Sequence, residues 1–115
     1  MDEYHKRLTG RYLILTAYID EIPVGFKIGY ERNKHSFYSW MGGVLPKYRK
    51  KGIAEKLADY QEKWAQKMGY HSIQMKTRKK HQAMVAFSIK RGFVITEEKE
   101  KIPKEESRTY MTMAL

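Results

Sequence analysis

The chain contains no cysteine. That absence removes disulfides, thiolate metal sites and a cysteine nucleophile together, and it is compatible with a reducing compartment. Histidine is scarce too: His5, His35, His71 and His81 form no pair at helical i,i+4 spacing and have no carboxylate pattern beside them, so no metal centre is expected. No repeat and no low-complexity tract breaks the sequence. No apolar run reaches the roughly 18 residues that a membrane span needs, and the first residues, Met-Asp-Glu-Tyr-His-Lys-Arg, are acidic first and lack an apolar stretch, unlike a secretory signal. A cytoplasmic protein without a membrane partner is the expectation.

What remains is enough apolar material for one core. The 115 residues are 42% hydrophobic and 13% aromatic, which suits a folded chain and excludes the disordered class. One domain spanning residues 1–115 fits that length. The formal net charge of +10 is unevenly spread: Lys47 to Lys80 holds eleven Lys or Arg against Glu55, Asp59 and Glu62, while both flanks are nearly balanced. Such a patch favours a polyanion, whether nucleic acid, an anionic surface or a phosphate-rich small ligand, and it also suits a merely solubilising surface.

Periodicity divides the chain. Arg11 to Asp20 is rich in β-branched and aromatic residues and ends in a turn-like cluster, Asp20 to Gly25. Phe26 to Glu31 alternates apolar residues with polar ones or Gly, and Arg32 to His35 makes the next turn before a strand over Ser36 to Met41. From Ile53 the period lengthens: Ile53, Leu57, Tyr60, Trp64 and Met68 mark the inner stripe of an amphipathic helix that Gly69 ends in a left-handed cap. Ser72 to Thr77 reads as a strand, Gln82 to Arg91 as a helix capped by Gly92, and Phe93 to Thr96 and Thr109 to Met113 as strands around a charged hairpin tip. The order is βββ-α-β-α-ββ, a mixed sheet with helices against it, of the α+β class.

The stretch Gly42-Gly43-Val44-Leu45-Pro46-Lys47-Tyr48-Arg49-Lys50-Lys51-Gly52-Ile53-Ala54 leads into the long helix. A helix start carries partial positive charge and unpaired N–H groups, so cations there cost roughly 0.3–1 kcal/mol each. Arg49, Lys50 and Lys51 crowd that end with no side-chain acceptor. Gly52 permits a bend and a close approach to the backbone, so amides from about Lys50 to Ala54 can wrap an anion that the cations neutralise. The expectation is a phosphate or pyrophosphate seat. Gly42-Gly43 suits a bulge and Pro46 cannot donate to a ladder, so pairing with the next strand should fail near Val44, exposing backbone groups to an amide-containing ligand tail.

These residues resemble a known family. Val44-x-Pro46-x-x-Arg49-x-x-Gly52-x-Ala54 is similar to the acetyl-CoA signature of the GNAT N-acetyltransferases, in which Arg or Gln, two residues, Gly, one residue, and Gly or Ala open the main helix. The element order matches the family fold from its second strand onward, and Gly92-Phe93 stands where the family's closing Gly-Phe ends the second helix. The resemblance runs from about Tyr12 to the C-terminus. It implies acetyl-CoA as cofactor, with the backbone of Gly42, Gly43 and Val44 facing the pantetheine and Arg49, Lys50, Lys51, Gly52, Ile53 and Ala54 cradling the pyrophosphate. Lys47, Lys79 and Lys80 are further cations in reach of a nucleotide phosphate.

The catalytic positions depart from the pattern. The family's Tyr four residues before the closing Gly, which protonates the departing thiolate, is Ser88 here, and the Asn seven residues before that Tyr, which helps hold the cofactor or an ordered water, is His81, a cofactor-binding candidate still able to donate a hydrogen bond. Tyr38 occupies the place of a third-strand Glu that serves some members as general base; Glu31, His35 and Tyr110 are unranked substitutes. Tyr38 and Trp40 share a face with Gly42 and suit either an acceptor cleft or core packing. Only Met1 to Arg11 stand where the family has a strand and two helices, so a truncated chain, a natural short form, or a homodimer that completes its own site are all compatible. The resulting expectation is an acetyltransferase that moves an acetyl group to a small-molecule or peptide amine by direct transfer. A non-catalytic acyl-CoA-binding domain is the alternative. A nucleic-acid partner is not favoured, since no recognised motif accompanies the basic segment.

Overall fold

The computed structural model describes residues 11–78, 80–102 and 104–115. Strand β1 (Tyr12–Ile19) and strand β2 (Ile22–Asn33) are joined by Asp20 and Glu21 alone, both at positive φ, 49° and 69°. A two-residue turn of that hand matches the right-handed twist of the strands it joins. Strand β2 therefore starts inside the segment whose Pro23 and Gly25 suggest a loop. Pro23 is accommodated because a register shift between Ala17 and Tyr18 falls opposite it, where its missing N–H breaks no regular ladder.

Strand β3 (Ser36–Val44) pairs with β2, helix α1 (Ile53–Lys67) crosses over, and strand β4 (Ser72–Arg78) returns parallel to β3. Helix α2 (Gln82–Arg91) and strands β5 (Val94–Lys99) and β6 (Arg108–Ala114) complete the expected order, giving one six-stranded sheet, β1-β2-β3-β4-β6-β5. Gly69 and Gly92 end the helices at φ 93° and 111°, the left-handed geometry that glycine takes without a Cβ penalty. The core gathers Phe37, Ala65, Tyr70, Ile73, Phe93 and Met111, with Trp64 packed edge-on to Phe37 at 5.3 Å.

The inner stripe of α1 is not the one its large apolar residues mark out. Leu57, Ala58, Gln61 and Ala65 are buried, Trp64 is half-buried, and Tyr60 stands 64% exposed. The cause lies in the sheet: Gly25 and Gly29 let the helix sit close. A Cβ on Gly25 would lie 3.3 Å from Ile53 and 3.4 Å from Leu57, and one on Gly29 would lie 2.9 Å from the Gln61 amide nitrogen. A phenol ring cannot enter so narrow a gap, so the helix turns its small residues inward. The same contacts fix the faces of β2. Lys27, Gly29 and Glu31, the polar half of its alternation, lie toward the helices, and Phe26, Ile28 and Tyr30 lie on the opposite face.

Candidate functional site

The sheet opens between β3 and β4. Only three pairs join them, Ser36 with Ser72, Phe37 with Ile73 and Tyr38 with Gln74, so the strands separate from Ser39 onward. The separation starts well before Val44, and its cause is a bulge: Ile28 pairs with Met41 and Gly29 with Ser39, which leaves Trp40 as an extra residue on β3. Gly42 and Gly43 keep regular pairing with Lys27 and Phe26, so they are not the bulge. An extra residue increases local twist and swings the strand away from its neighbour. It also resets the alternation. Trp40 joins Tyr38 on the face of Tyr30, 6.1 Å from that ring, while Gly42 falls on the helix side opposite Lys27.

Beyond Val44 a short 3-10 turn, Pro46–Tyr48, leads to the basic loop. Arg49 is extended and its Nε donates to the Val44 carbonyl oxygen at 3.1 Å, tying the two ends of the turn together. Lys50 and Gly52 both take left-handed conformations, φ 61° and 80°. Helix α1 starts with no side-chain cap, so the amides of its first residues, Ile53, Ala54 and Glu55, lack intrahelical acceptors. Nothing lies within 4 Å of where a Cβ on Gly52 would stand. Among the described residues no carboxylate pairs with Lys47, Arg49, Lys50 or Lys51, and Lys51 rests only on the Tyr48 ring at 5.7 Å. The loop is thus an open nest of amides and uncompensated cations.

The remaining candidates fall around the opening. His81 is exposed at the head of α2, its carbonyl oxygen accepting from Met84 and Val85. Lys80 is held with Arg78 on Glu106, at 3.4 and 3.2 Å, and these contacts keep the Glu106 carboxyl below its usual range. Lys79 lies outside the described residues. Ser88 is buried on the inner side of α2, and its hydroxyl donates to the Met75 sulfur at 3.2 Å. Tyr38 is buried at the apex of the opening, 5.3 Å from the Tyr30 ring and beneath the Arg32 guanidinium. Of the substitute bases, Glu31 accepts from Tyr70 at 2.7 Å and His35 stacks on His71, both at the closed end of the sheet, and Tyr110 sits across β4 opposite Lys76.

Below the opening, between the two helices, lies a cavity of about 20 Å³ lined by Lys27, Ser39, Gln61, Glu62, Met75 and Ser88 among others. Its rim is tied by Arg91, which hydrogen-bonds both carboxylate oxygens of Glu62, at 2.8 and 2.9 Å, and reaches Asp59. The Glu62 hydrogen bond, with help from Asp59, holds the Arg91 guanidinium above its ordinary value against the cost of its own burial. Lys27 moves the other way. Burial pushes its ammonium below the ordinary lysine value and Arg91 adds to that, while Glu62 opposes it. The Gln61 amide nitrogen is buried and has no hydrogen-bond partner among the described residues. Lys27 and Gln61 escape a sequence reading because alternation assigns a strand lysine to solvent and a helix glutamine to the outer face. Only the glycines at 25 and 29, which draw the helix close, hint otherwise.

A family model, the Acetyltransferase (GNAT) family, matches residues 1–93. The chain belongs to that family of acetyltransferases. Solved structures share its fold. A GNAT family acetyltransferase from Elizabethkingia anophelis with acetyl-CoA bound superposes with a TM-score of 0.86 at 17% identity, over 99% of this chain and 80% of the other. The ribosomal-protein-S18-alanine N-acetyltransferase from Escherichia coli gives 0.86 at 16% identity, over 98% and 75%. An IAA acetyltransferase from Bacillus cereus gives 0.85 at 18% identity, over 98% and 81%. No curated protein sequence matches. Among the described residues, no helix is long and apolar enough to cross a membrane and no cluster of ligating side chains could hold a metal ion.

Proposed function

We propose that this protein is an acetyl-CoA-dependent N-acetyltransferase that moves an acetyl group to a primary amine by direct transfer in a ternary complex. One observation carries the reading: Arg49, Lys50 and Lys51, unpaired by any carboxylate among the described residues, stand around the uncapped amides at the head of α1, with open space over Gly52. An arrangement of that charge and shape is stable when a diphosphate occupies it. Lys50, Lys51, Gly52, Ile53 and Ala54 supply the amides and charge, and Arg49 braces the turn. Strand β3 pairs with β4 only as far as Tyr38, and its edge at Gly42 and Gly43 suits the amides of a pantetheine arm. His81 stands at the far lip.

The same opening serves the chemistry. An unprotonated amine must meet the thioester carbonyl, and backbone N–H groups of the splayed strand suit the oxygen on which charge develops. Tyr38 at the apex and Ser88 in the cavity wall are the positions at which the family resemblance places proton transfer. Ser88 also favours a second reading, an acyl-CoA-binding domain without turnover, because its hydroxyl is buried and engaged with Met75 rather than aimed at the opening. Calorimetric titration with CoA, followed by measurement of thiol release from acetyl-CoA across peptides with free N-termini, polyamines and aminoglycosides, separates the readings. Transfer to any of them establishes the enzyme, binding without release favours the second, and absence of CoA binding removes both.

A further inference from the structure

The geometry points to Lys27 as the proton carrier of the transfer reaction, its ammonium donating to the departing sulfur, because the Ser88 hydroxyl is already engaged with Met75. The inference rests on the proposed acetyl-CoA reading and adds a residue to it. Four observations converge on one small space. Lys27 and Ser88 line the same cavity. Ser39, the first residue of β3 beyond the β4 pairing, lines it as well, so the cavity adjoins the point where the sheet opens. Gln61 lines the same space, and a volume of about 20 Å³ has room for one water. Lys27, Glu62 and Arg91 are the charged groups lining it, and Arg91 takes both oxygens of Glu62, so that carboxylate is already neutralised.

Those neighbours set the chemistry. An ammonium whose proton is held less tightly than usual by burial, beside a carboxylate claimed by another cation, is a better donor to a thiolate than an exposed lysine. In the step, the neutral amine's lone pair forms the C–N bond and the C–S electron pair leaves on sulfur. Lys27 passes a proton to that sulfur, giving the free thiol. The surplus proton on the new amide nitrogen returns through water to the neutral Lys27 amine. One amine and one thioester become one amide and one thiol, and Lys27 ends as it began.

The first test needs no acceptor. Bromoacetyl-CoA carries an electrophilic carbon at the place of the acetyl methyl, and a neutral lysine amine displaces its bromide. Peptide mass spectrometry should find the adduct at Lys27, prevented by excess CoA. In the second, Lys27→Met should bind CoA within threefold of wild type yet lose ~10²-fold or more in kcat, and Lys27→Arg, whose guanidinium does not give up a proton, should not restore it. The wild-type kcat should fall on the alkaline side as Lys27 loses its proton, and Lys27→Met should lack that limb. An adduct confined to other residues, or a Lys27→Met variant with unchanged kcat and pH profile, overturns the assignment. A wild-type protein that does not bind CoA overturns the parent reading and this one with it, whereas CoA binding with Lys27 unlabelled overturns this one alone.

Discussion

The Nε of Arg49 donates to the carbonyl oxygen of Val44 at 3.1 Å, so the signature arginine is first of all a brace across the turn that joins β3 to α1. Its charge and its brace are separable. Arg49→Lys keeps the charge but has no donor at the place of Nε, which removes the bond to Val44. A charged hydrogen bond of this kind is worth about 1–2 kcal/mol, so CoA affinity should fall roughly five- to thirtyfold in Arg49→Lys at constant net charge. Calorimetry at two salt concentrations checks it: the salt dependence should match wild type, and an unchanged affinity would reduce Arg49 to a point charge.

Gly52 tests the seat itself. Its φ of 80° costs other residues about 1–2 kcal/mol, Asn least, and the space above it is open. Gly52→Asn should leave the melting temperature almost unchanged but put a side chain into the proposed diphosphate seat, lowering affinity for CoA and for inorganic pyrophosphate by at least tenfold. Gly52→Val should lower both stability and affinity. Normal binding by Gly52→Asn would move the anion site elsewhere.

How far the sequence carries the site follows from these two residues. Charge at a helix head is a local property, and so the crowding of Arg49, Lys50 and Lys51 at the start of α1 is legible in one dimension, as is the order of strands and helices from their periods. The bulge at Trp40 is not, because it depends on how β3 lines up with β2, and no residue type announces it. Placing the bulge at Gly42-Gly43 follows the glycines and misses by two residues. The inward stripe of α1 fails for a related reason: Tyr60 outranks Ala58 in hydrophobicity, yet glycines two strands of sequence away decide which of them fits. Lys27 is concealed by the same long-range packing.

Gln61 offers a measure of that packing. Its amide nitrogen is buried beside Gly29 without a partner, which costs about 1–3 kcal/mol. Gln61→Met keeps the length and removes the orphan donor, so urea unfolding should show equal or greater stability, by up to about 1 kcal/mol. Gly29→Ala should do the opposite, because its Cβ would stand 2.7 Å from the Tyr38 carbonyl oxygen.

Arg91 fastens α2 to α1 through Glu62 and Asp59. Its side chain is 14% exposed and that of Glu62 20%, so removing the guanidinium leaves a carboxylate partly shielded from water and without its partner. Arg91→Ala should therefore cost about 1–2 kcal/mol in urea unfolding, less than a fully buried pair because Asp59 and part of Glu62 are solvated. Arg91→Lys should recover little, since one ammonium cannot hold both oxygens. The double variant Arg91→Ala/Glu62→Gln should be more stable than Arg91→Ala, and a failure to recover would show that the pair is not what holds the helices.

Tyr70 predicts a limit at high pH. Its phenol is raised above the usual tyrosine value, first by burial and then by the hydrogen bond to Glu31 and that carboxylate's charge, with Arg11 opposing from 5.8 Å. A folded-state value above the unfolded one means that the folded chain holds the proton more tightly. The contribution is complete below about pH 10, where the unfolded phenol titrates, and is lost as pH rises through the folded value. Unfolding free energy should then fall more steeply above about pH 10 in the wild type than in Tyr70→Phe. The variant should be less stable by about 1 kcal/mol at neutral pH from loss of the bond to Glu31, and the gap should narrow at the alkaline end. The other tyrosines titrate in both proteins, so the difference between the two curves isolates Tyr70, and parallel curves would mean that its proton is held no more tightly in the fold than out of it.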